Sequence, residues 1–380
     1  MAISTLSLCF ADGEVLLADG LTEANISIHD GRIAGRAARH VDATGYLILP
    51  GIIDLHGDGF EHHMAPRRGA QSDPALGLRA VEAELASNGI TTAMLAQFFS
   101  WEGGMRGPDF AEVLAGAVKD GHAATDLHVQ LRLETSVADQ FDRARALIAR
   151  ENIRYVVLND HLPHSALAAG KRPPRLTGQA LKSGRSPEAH HALLQRLHDA
   201  MPQALQALAG LTADLRAQGV HIGSHDDATA EDRARHRAFG ATIAEFPETR
   251  AAAEAAVAAG EPVIMGAPNV VRGGSHDKKV SAEALIADGL VRALVSDYHY
   301  PSLHRAALKL WDAGMPLQDA WGLISAGPAG VMGWGDRGCL CPGRRADLVV
   351  MSEKTRRIEG VFCAGRVTHL TGELALRMVQ

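Results

Sequence analysis

The stretch "GIIDLHGDGF" (51–60) ends an apolar run in His56 and Asp58, two residues apart. Side chains at i and i+2 of a strand share a face, so an imidazole and a carboxylate would project from one surface. Such a pair suits two metal ligands, a base with its orienting partner, or a hydrogen-bonded strand end. The pair alone does not choose among them.

Other apolar runs end the same way. "LHVQLRLE" closes on Glu134, "IRYVVLND" on Asp160 followed by His161, and "VHIGSHD" on His225 and Asp226 with Asp227 next. "TIAEFP" carries Glu245 and "RALVSD" ends in Asp297. Taken singly, each has a plain structural role: a strand-end His satisfied by its neighbours, or an acid capping the next helix. Jointly that explanation weakens, because burying so many acids and imidazoles without a cation to share is costly. Carboxylates with neutral imidazoles are the donor set of one or two Zn²⁺ or Mn²⁺ ions. His62, His63, His190, His191 and His198 follow no strand-end logic, and the last three read as an exposed helical surface.

A second constellation is "MGAPNVVRGGSHDKK" (265–279). Gly273-Gly274 would let backbone N–H groups approach an anion, while Arg272, His276, Lys278 and Lys279 supply positive charge; this suits phosphate oxygens. "APRR" (65–68) adds Arg67 and Arg68 to the same rim. A third basic run, "KRPPRLTGQALKSGR" (171–185), has five Lys/Arg and no acid. It reads as a solvated loop or as a cationic lid.

The elements that must position these residues alternate between apolar strands and Ala-rich helical segments. Eight such strands, from "YLILPGIIDLH" to "RALVSD", match a (β/α)₈ barrel, whose chemistry sits at the C-terminal ends of the strands. The connection from Asp160 to Gly219 is far longer than a crossover requires. Both termini instead carry short strands with turns, such as "ANISIHDGRIAG" joined through His29-Asp30-Gly31. The reading is therefore an α/β protein: a barrel over 51–338 and a small β-sandwich domain built from 1–50 and 339–380. A net charge of −6 argues against a general nucleic-acid or membrane-surface binder. A small molecule is the expected partner, with a homo-oligomer left open. The four Cys form no C-x-x-C pair, so reduced thiols are expected. The N-terminus does not read as a signal peptide, and no apolar run approaches the ~20 residues of a membrane span. A cytoplasmic protein is expected.

These residues bring a resemblance into view. The "LPGIIDLH" entry, the "GITT" strand, the "SD" of the eighth strand and the closing "GRRADLVV" are similar to the amidohydrolase superfamily. That superfamily's metal-dependent hydrolases combine a (β/α)₈ barrel with a β-sandwich from both termini. More narrowly, "LHGD", "SHDDAT", "AEFP", "MGAPNVVRGGSH" and "SDYHYPS" resemble the triphosphate diphosphatases of the carbon–phosphorus lyase pathway. Most amidohydrolases open with His-x-His, whereas this chain has His56-x-Asp58, as that diphosphatase family does. No Lys ends the fourth strand for a carboxylated bridge, and the resemblance implies Glu134 as the substitute, as in relatives that bridge metals with Glu.

The resemblance implies metal ligands His56, Asp58, Glu134, His161, His225 and Asp297, holding one or two Zn²⁺ (or Mn²⁺). The implied substrate is a ribose 5-triphosphate bearing a 1-methylphosphonate, cleaved between its α- and β-phosphates to release pyrophosphate. Asp297 would orient the attacking water or take its proton, with Glu134 beside it. Arg67, Arg272, Gly273, Gly274, His276 and Lys278 would hold the phosphates. The alternative is another hydrolase of the superfamily, acting on an amide, lactone or amidine bond, with less need for Arg272 and the Gly pair.

Overall fold

The computed structural model describes residues 6–37, 39–67, 73–121, 123–274 and 279–380. Both ends of the chain build one sheet. Its strands are β1 (Leu8–Leu17), β2 (Gly20–His29), β3 (Arg32–Ala34), β4 (His40–Asp42) and β5 (Tyr46–Pro50) from the N-terminal side. The C-terminal side supplies three more strands, which take the numbers β14 to β16 in chain order. The barrel strands lie between: β6 (Ile52–Gly57), β7 (Ile90–Phe99), β8 (Asp126–Glu134), β9 (Tyr155–Asn159), β10 (His221–His225), β11 (Ile243–Glu245), β12 (Val263–Gly266) and β13 (Ala293–Val295). The C-terminal strands are β14 (Leu348–Ser352), β15 (Ile358–Cys363) and β16 (Arg366–Leu370).

In the terminal sheet the order is β16-β15-β14-β5-β1-β2-β3, with β4 on β1. The two chain ends meet where β14 runs antiparallel to β5, Leu348 opposite Pro50 and Ser352 opposite Tyr46. The expected β2–β3 hairpin turns through Asp30 and Gly31, both at positive φ (48° and 73°). Two positive-φ residues are what a tight two-residue hairpin loop needs to match strand twist. Phe10, Ile28, Ile48, Leu348 and Phe362 form this sheet's core, Phe10 edge-on to Phe362 at 5.3 Å.

The eight strands β6 to β13 form one parallel sheet in chain order. β13 returns to β6: Gly57 bridges Asp297 in parallel, the Asp58 N–H donates to the Asp297 carbonyl at 2.8 Å, and the Asp297 N–H donates to the His56 carbonyl at 2.9 Å. This is the (β/α)₈ class, with a second sheet from the termini. The stretch "YLILPGIIDLH", expected as a single strand, is two. β5 belongs to the terminal sheet and β6 to the barrel, parting at Gly51, whose N–H donates to the Asp347 carbonyl at 2.9 Å.

The chain divides into two compact units. One runs to Leu95 and includes Gly121–His128 and Ile264–Gln380; it holds the terminal sheet, β6 and β13. The other comprises Ala96–Asp120 and Val129–Val263. In the second, β8, β9, β10 and β11 pair in parallel register, with Glu134 opposite Asn159 and His225 opposite Glu245. Its core gathers Leu131, Leu133, Val156, Leu158 and Ile222 against helical Phe141, Leu147 and Leu211.

The long connection from Asp160 to Gly219 is mostly helical. It carries His164–Ala168, Leu176–Lys182, Pro187–Asp199 and Met201–Ala217. Ser186 caps the third of these, with Pro187 in its first turn, the arrangement that starts helices well. That helix buries His190, Leu194 and Leu197, an i, i+4, i+7 stripe. His190 is therefore fully buried, packed on Trp101 at 5.8 Å, and not the exposed surface residue expected from its polarity.

Candidate metal centre

Within the first unit, His56, Asp58 and Asp297 offer ligand atoms that all lie within 4.8 Å of one another. The backbone bonds of Asp297, two residues beyond β13, to His56 and Asp58 at the end of β6 bring them together. Asp297 takes a left-handed conformation (φ 56°), a conformation that costs energy and clusters at functional sites. Beneath the cluster, fully buried Asp54 accepts from the Ser296 N–H at 3.0 Å, the Ser296 hydroxyl at 2.5 Å and the His56 N–H at 3.3 Å. Burial pushes the Asp54 carboxyl up, against the pull of those bonds. Gly57 has to be glycine: a Cβ there would stand 2.6 Å from Tyr300 Cε1 and 2.7 Å from Asp54 Oδ2.

Within the second unit, buried Glu134 binds His161 twice, accepting from its backbone N–H at 3.2 Å and meeting its ring at Nδ1. That contact raises the imidazole's pKa, with burial opposing it. It also turns Nε2 away from the carboxylate, the tautomer-fixing arrangement found beneath metal-bound imidazoles. The His225 ring lies 6.4 Å from that of His161. Arg132 donates to His225 Nε2 at 3.0 Å, and Nδ1 faces Glu245 at 3.5 Å. A guanidinium only donates, so it occupies the Nε2 lone pair that a metal would use.

The remaining acids have further partners. Glu245 is buried and accepts from Gln130 at 2.6 Å and Tyr155 at 2.7 Å. Asp160 pairs with His164 at 2.9 Å. Asp227 pairs with buried Arg233 at 3.1 Å and with His236 at 2.6 Å. Burial alone would raise the Asp227 carboxyl, but His236, Ser224 and Arg233 hold it down.

The donor sets can be tested against a divalent ion. One imidazole and two carboxylates with mutually close donor atoms fit a zinc or manganese site and leave coordination positions open. Glu134 with His161 fits as well. His225 fits only if Arg132 exchanges its bond for the ion.

The basic rim is partly described. Arg272 ends the helix Ala267–Arg272 and donates to the Tyr298 hydroxyl, one residue beyond Asp297. The amides of Gly273 and Gly274, expected to face phosphate, are used otherwise: they donate to the carbonyls of Val270 (3.1 Å) and Asn269 (3.0 Å). Gly273 is the left-handed residue (φ 80°) closing that helix, and such a cap turns its N–H groups back onto the last turn. Arg67 is exposed after the short helix Glu61–Met64. Arg68, His276 and Lys278 lie outside the described residues.

Arg132, Gln130, Tyr155 and Tyr298 were not anticipated from the sequence. For Arg132 and Gln130 a signal existed, two polar residues inside the buried run "VQLRLE". Tyr155 carried none, since an aromatic is ordinary in a strand.

The fold, the strand-end donors and the comparisons agree on a class: the chain belongs to the amidohydrolase superfamily, whose relatives are hydrolases. It is 30% identical over 359 residues to alpha-D-ribose 1-methylphosphonate 5-triphosphate diphosphatase of Escherichia coli (strain K12), covering 91% of this chain and 95% of the relative. No family model matches the chain. Among solved structures, the beta-aspartyl dipeptidase of Fervidobacterium islandicum AW-1 is similar with a TM-score of 0.65 at 13% identity, over 96% of this chain and 97% of that one. The N-acetylglucosamine-6-phosphate deacetylase of Pasteurella multocida gives 0.63 at 12% identity, over 95% and 99%. These two likenesses bear on the fold alone.

Proposed function

We propose that this chain is a metal-dependent diphosphatase acting on alpha-D-ribose 1-methylphosphonate 5-triphosphate, leaving the 5-phosphate and pyrophosphate. The observation that carries the reading is a juxtaposition. A guanidinium, Arg272, is tied to Tyr298, the residue next to Asp297 of the ligand cluster. A hydrolase of neutral amides or lactones has less need for a cation there than one that takes a polyanionic substrate. The 30% identity to the Escherichia coli diphosphatase supports the same substrate class.

His56, Asp58 and Asp297 would hold one divalent ion, Zn²⁺ or Mn²⁺, and Glu134, His161 and His225 a second. When bound, such an ion supplies Lewis acidity and makes water acidic enough to react near neutral pH. Asp297 would take the proton of the attacking water. Arg272, steadied by Tyr298, would bind the β- and γ-phosphates and offset the charge on the departing pyrophosphate. Arg67 is a further phosphate contact on this reading.

Hydrolysis of the triphosphate in ¹⁸O-labelled water, followed by ³¹P NMR, tests the proposal. The label should enter the sugar 5-phosphate while intact pyrophosphate leaves. Stepwise release of orthophosphate, or no turnover by metal-loaded protein, would overturn it.

A further inference from the structure

The loops after β7 and β8 and the helix Pro187–Asp199 line a cavity of about 580 Å³ that includes none of the metal-type side chains described above. That size falls within the range of small-molecule pockets. One side of the lining is apolar: Trp101, Val137, Leu193 and Leu197. Arginines stand around the rest. Arg143 is committed to Asp109 (2.6 Å) and Glu112 (2.7 Å). Arg185 spends one N–H on the Trp101 carbonyl at 2.9 Å, which fixes its guanidinium and leaves most of its five donors to other use. Arg196 is exposed and forms no ion pair among the described residues.

The wall supplies an independent sign of an occupant. Trp101 Nε1 and Ser136 Oγ belong to lining residues only 5% and 2% exposed, yet neither atom has a hydrogen-bond partner among the described residues. Both ring nitrogens of His190, behind Trp101, share that condition. Buried polar atoms are nearly always paired, and a cluster of exceptions calls for a water or ligand. The loop turns at Gly103, whose φ of 75° disfavours any side chain, and a Cβ there would also crowd Ser183 Cβ at 3.3 Å.

We infer that this cavity is a second ligand site, for a small organic anion. Its carboxylate or sulfonate group meets Arg185 and Arg196, and its apolar body lies against Trp101, Leu193 and Leu197. Ser136 stands two residues beyond Glu134, and the Thr135 N–H between them donates to the Asn159 carbonyl at 2.8 Å. An occupant touching Ser136 is thus two residues of chain from a metal-type carboxylate, which makes the cavity suited to an effector.

Isothermal titration with anilinonaphthalene sulfonate, an anion on an aromatic body, tests the site on the full chain. The expected result is saturable binding of one probe per chain, unchanged by excess pyrophosphate. Arg185→Ala with Arg196→Ala should weaken it about tenfold, the scale of lost charge-assisted bonds. Ala200→Trp, at an exposed lining position, should block it while the far-UV circular dichroism and the urea midpoint stay those of the parent protein. Absence of saturable binding, survival of binding in Ala200→Trp, unchanged affinity in the double arginine variant, or displacement by pyrophosphate would each overturn the assignment.

Discussion

Asp54 gives the sharpest test of how the first ligand cluster is held. The fully buried carboxyl joins β6 to the residue after β13 through three donors: the Ser296 N–H at 3.0 Å, the Ser296 hydroxyl at 2.5 Å and the His56 N–H at 3.3 Å. Asp54→Ala deprives all three of this acceptor. A buried donor that loses its partner costs roughly 1–3 kcal/mol, and the hydroxyl can swing to another acceptor, so we expect a loss of about 3–5 kcal/mol. Asp54→Asn should behave differently. Both backbone donors use Oδ1, which the amide oxygen replaces, and the new NH₂ can donate to the Ser296 hydroxyl. Its cost should stay below about 1.5 kcal/mol.

Urea unfolding of both variants, compared at equal m, measures these differences. Metal content after dialysis is the second readout. The alanine variant should lose most of its metal, because His56 and Asp297 flank the bonds removed, and the asparagine variant should keep it. An alanine variant within about 1 kcal/mol of the parent, or an asparagine variant as costly as alanine, would refute the reasoning.

Other outcomes are expected. Arg272→Ala should weaken pyrophosphate binding by ~1.5–3 kcal/mol at fixed salt, measured calorimetrically, with Tyr298→Phe showing a smaller effect in the same direction. Arg233→Ala should destabilise by about 3–5 kcal/mol in denaturant melts, because it removes a fully buried cation from Asp227 and Glu261, leaving the first to His236 and the second to Arg237. Asp126 binds Arg337 at 2.6 Å and Arg345 at 2.7 Å; burial alone would raise its carboxyl, but His128, Arg345 and Arg337 hold it well below the ordinary range. A depressed folded pKa contributes stability above the unfolded value of about 4 that is lost as pH falls through the folded one. Asp126→Asn should therefore be less stable than the parent at neutral pH and show a flatter stability profile below about pH 4.

What was legible in the sequence was local. His56 and Asp58 declare themselves because two residues of spacing put them on one face at the end of an apolar run, and the Asp30-Gly31 hairpin follows from turn chemistry. What was not legible depends on neighbours distant in the chain. Arg132 reaches His225 across 93 positions, and no spacing rule encodes such a contact. β5 and β6 read as one strand because the apolar run of Tyr46–Pro50 continues into Ile52 and Ile53; only the partner strands β14 and β1 assign the first half to the terminal sheet. The Gly273-Gly274 pair illustrates the opposite error. Glycines suit an anion loop and a helix cap equally, and here the cap takes the amides. His190 misled by polarity, although its place four residues before buried Leu194 was a usable clue.

Asp226, Phe246 and Asp297 all have positive φ (59°, 51° and 56°), and each immediately or nearly follows a barrel strand. Non-glycine residues hold such conformations only where their surroundings enforce them. Two bonds enforce it at Asp297, its N–H to the His56 carbonyl and its carbonyl from the Asp58 N–H. That backbone geometry aims the carboxylate at the His56-x-Asp58 pair. Asp and Asn tolerate the left-handed region far better than other side chains do. Asp297→Asn therefore removes the charge while keeping the turn, and Asp297→Ala disturbs both. If the carboxylate itself binds the ion, the asparagine variant should lose metal as fully as the alanine variant while unfolding at nearly the parent's denaturant midpoint. Full metal occupancy in Asp297→Asn, measured by elemental analysis, would show that the residue serves the turn and not the metal.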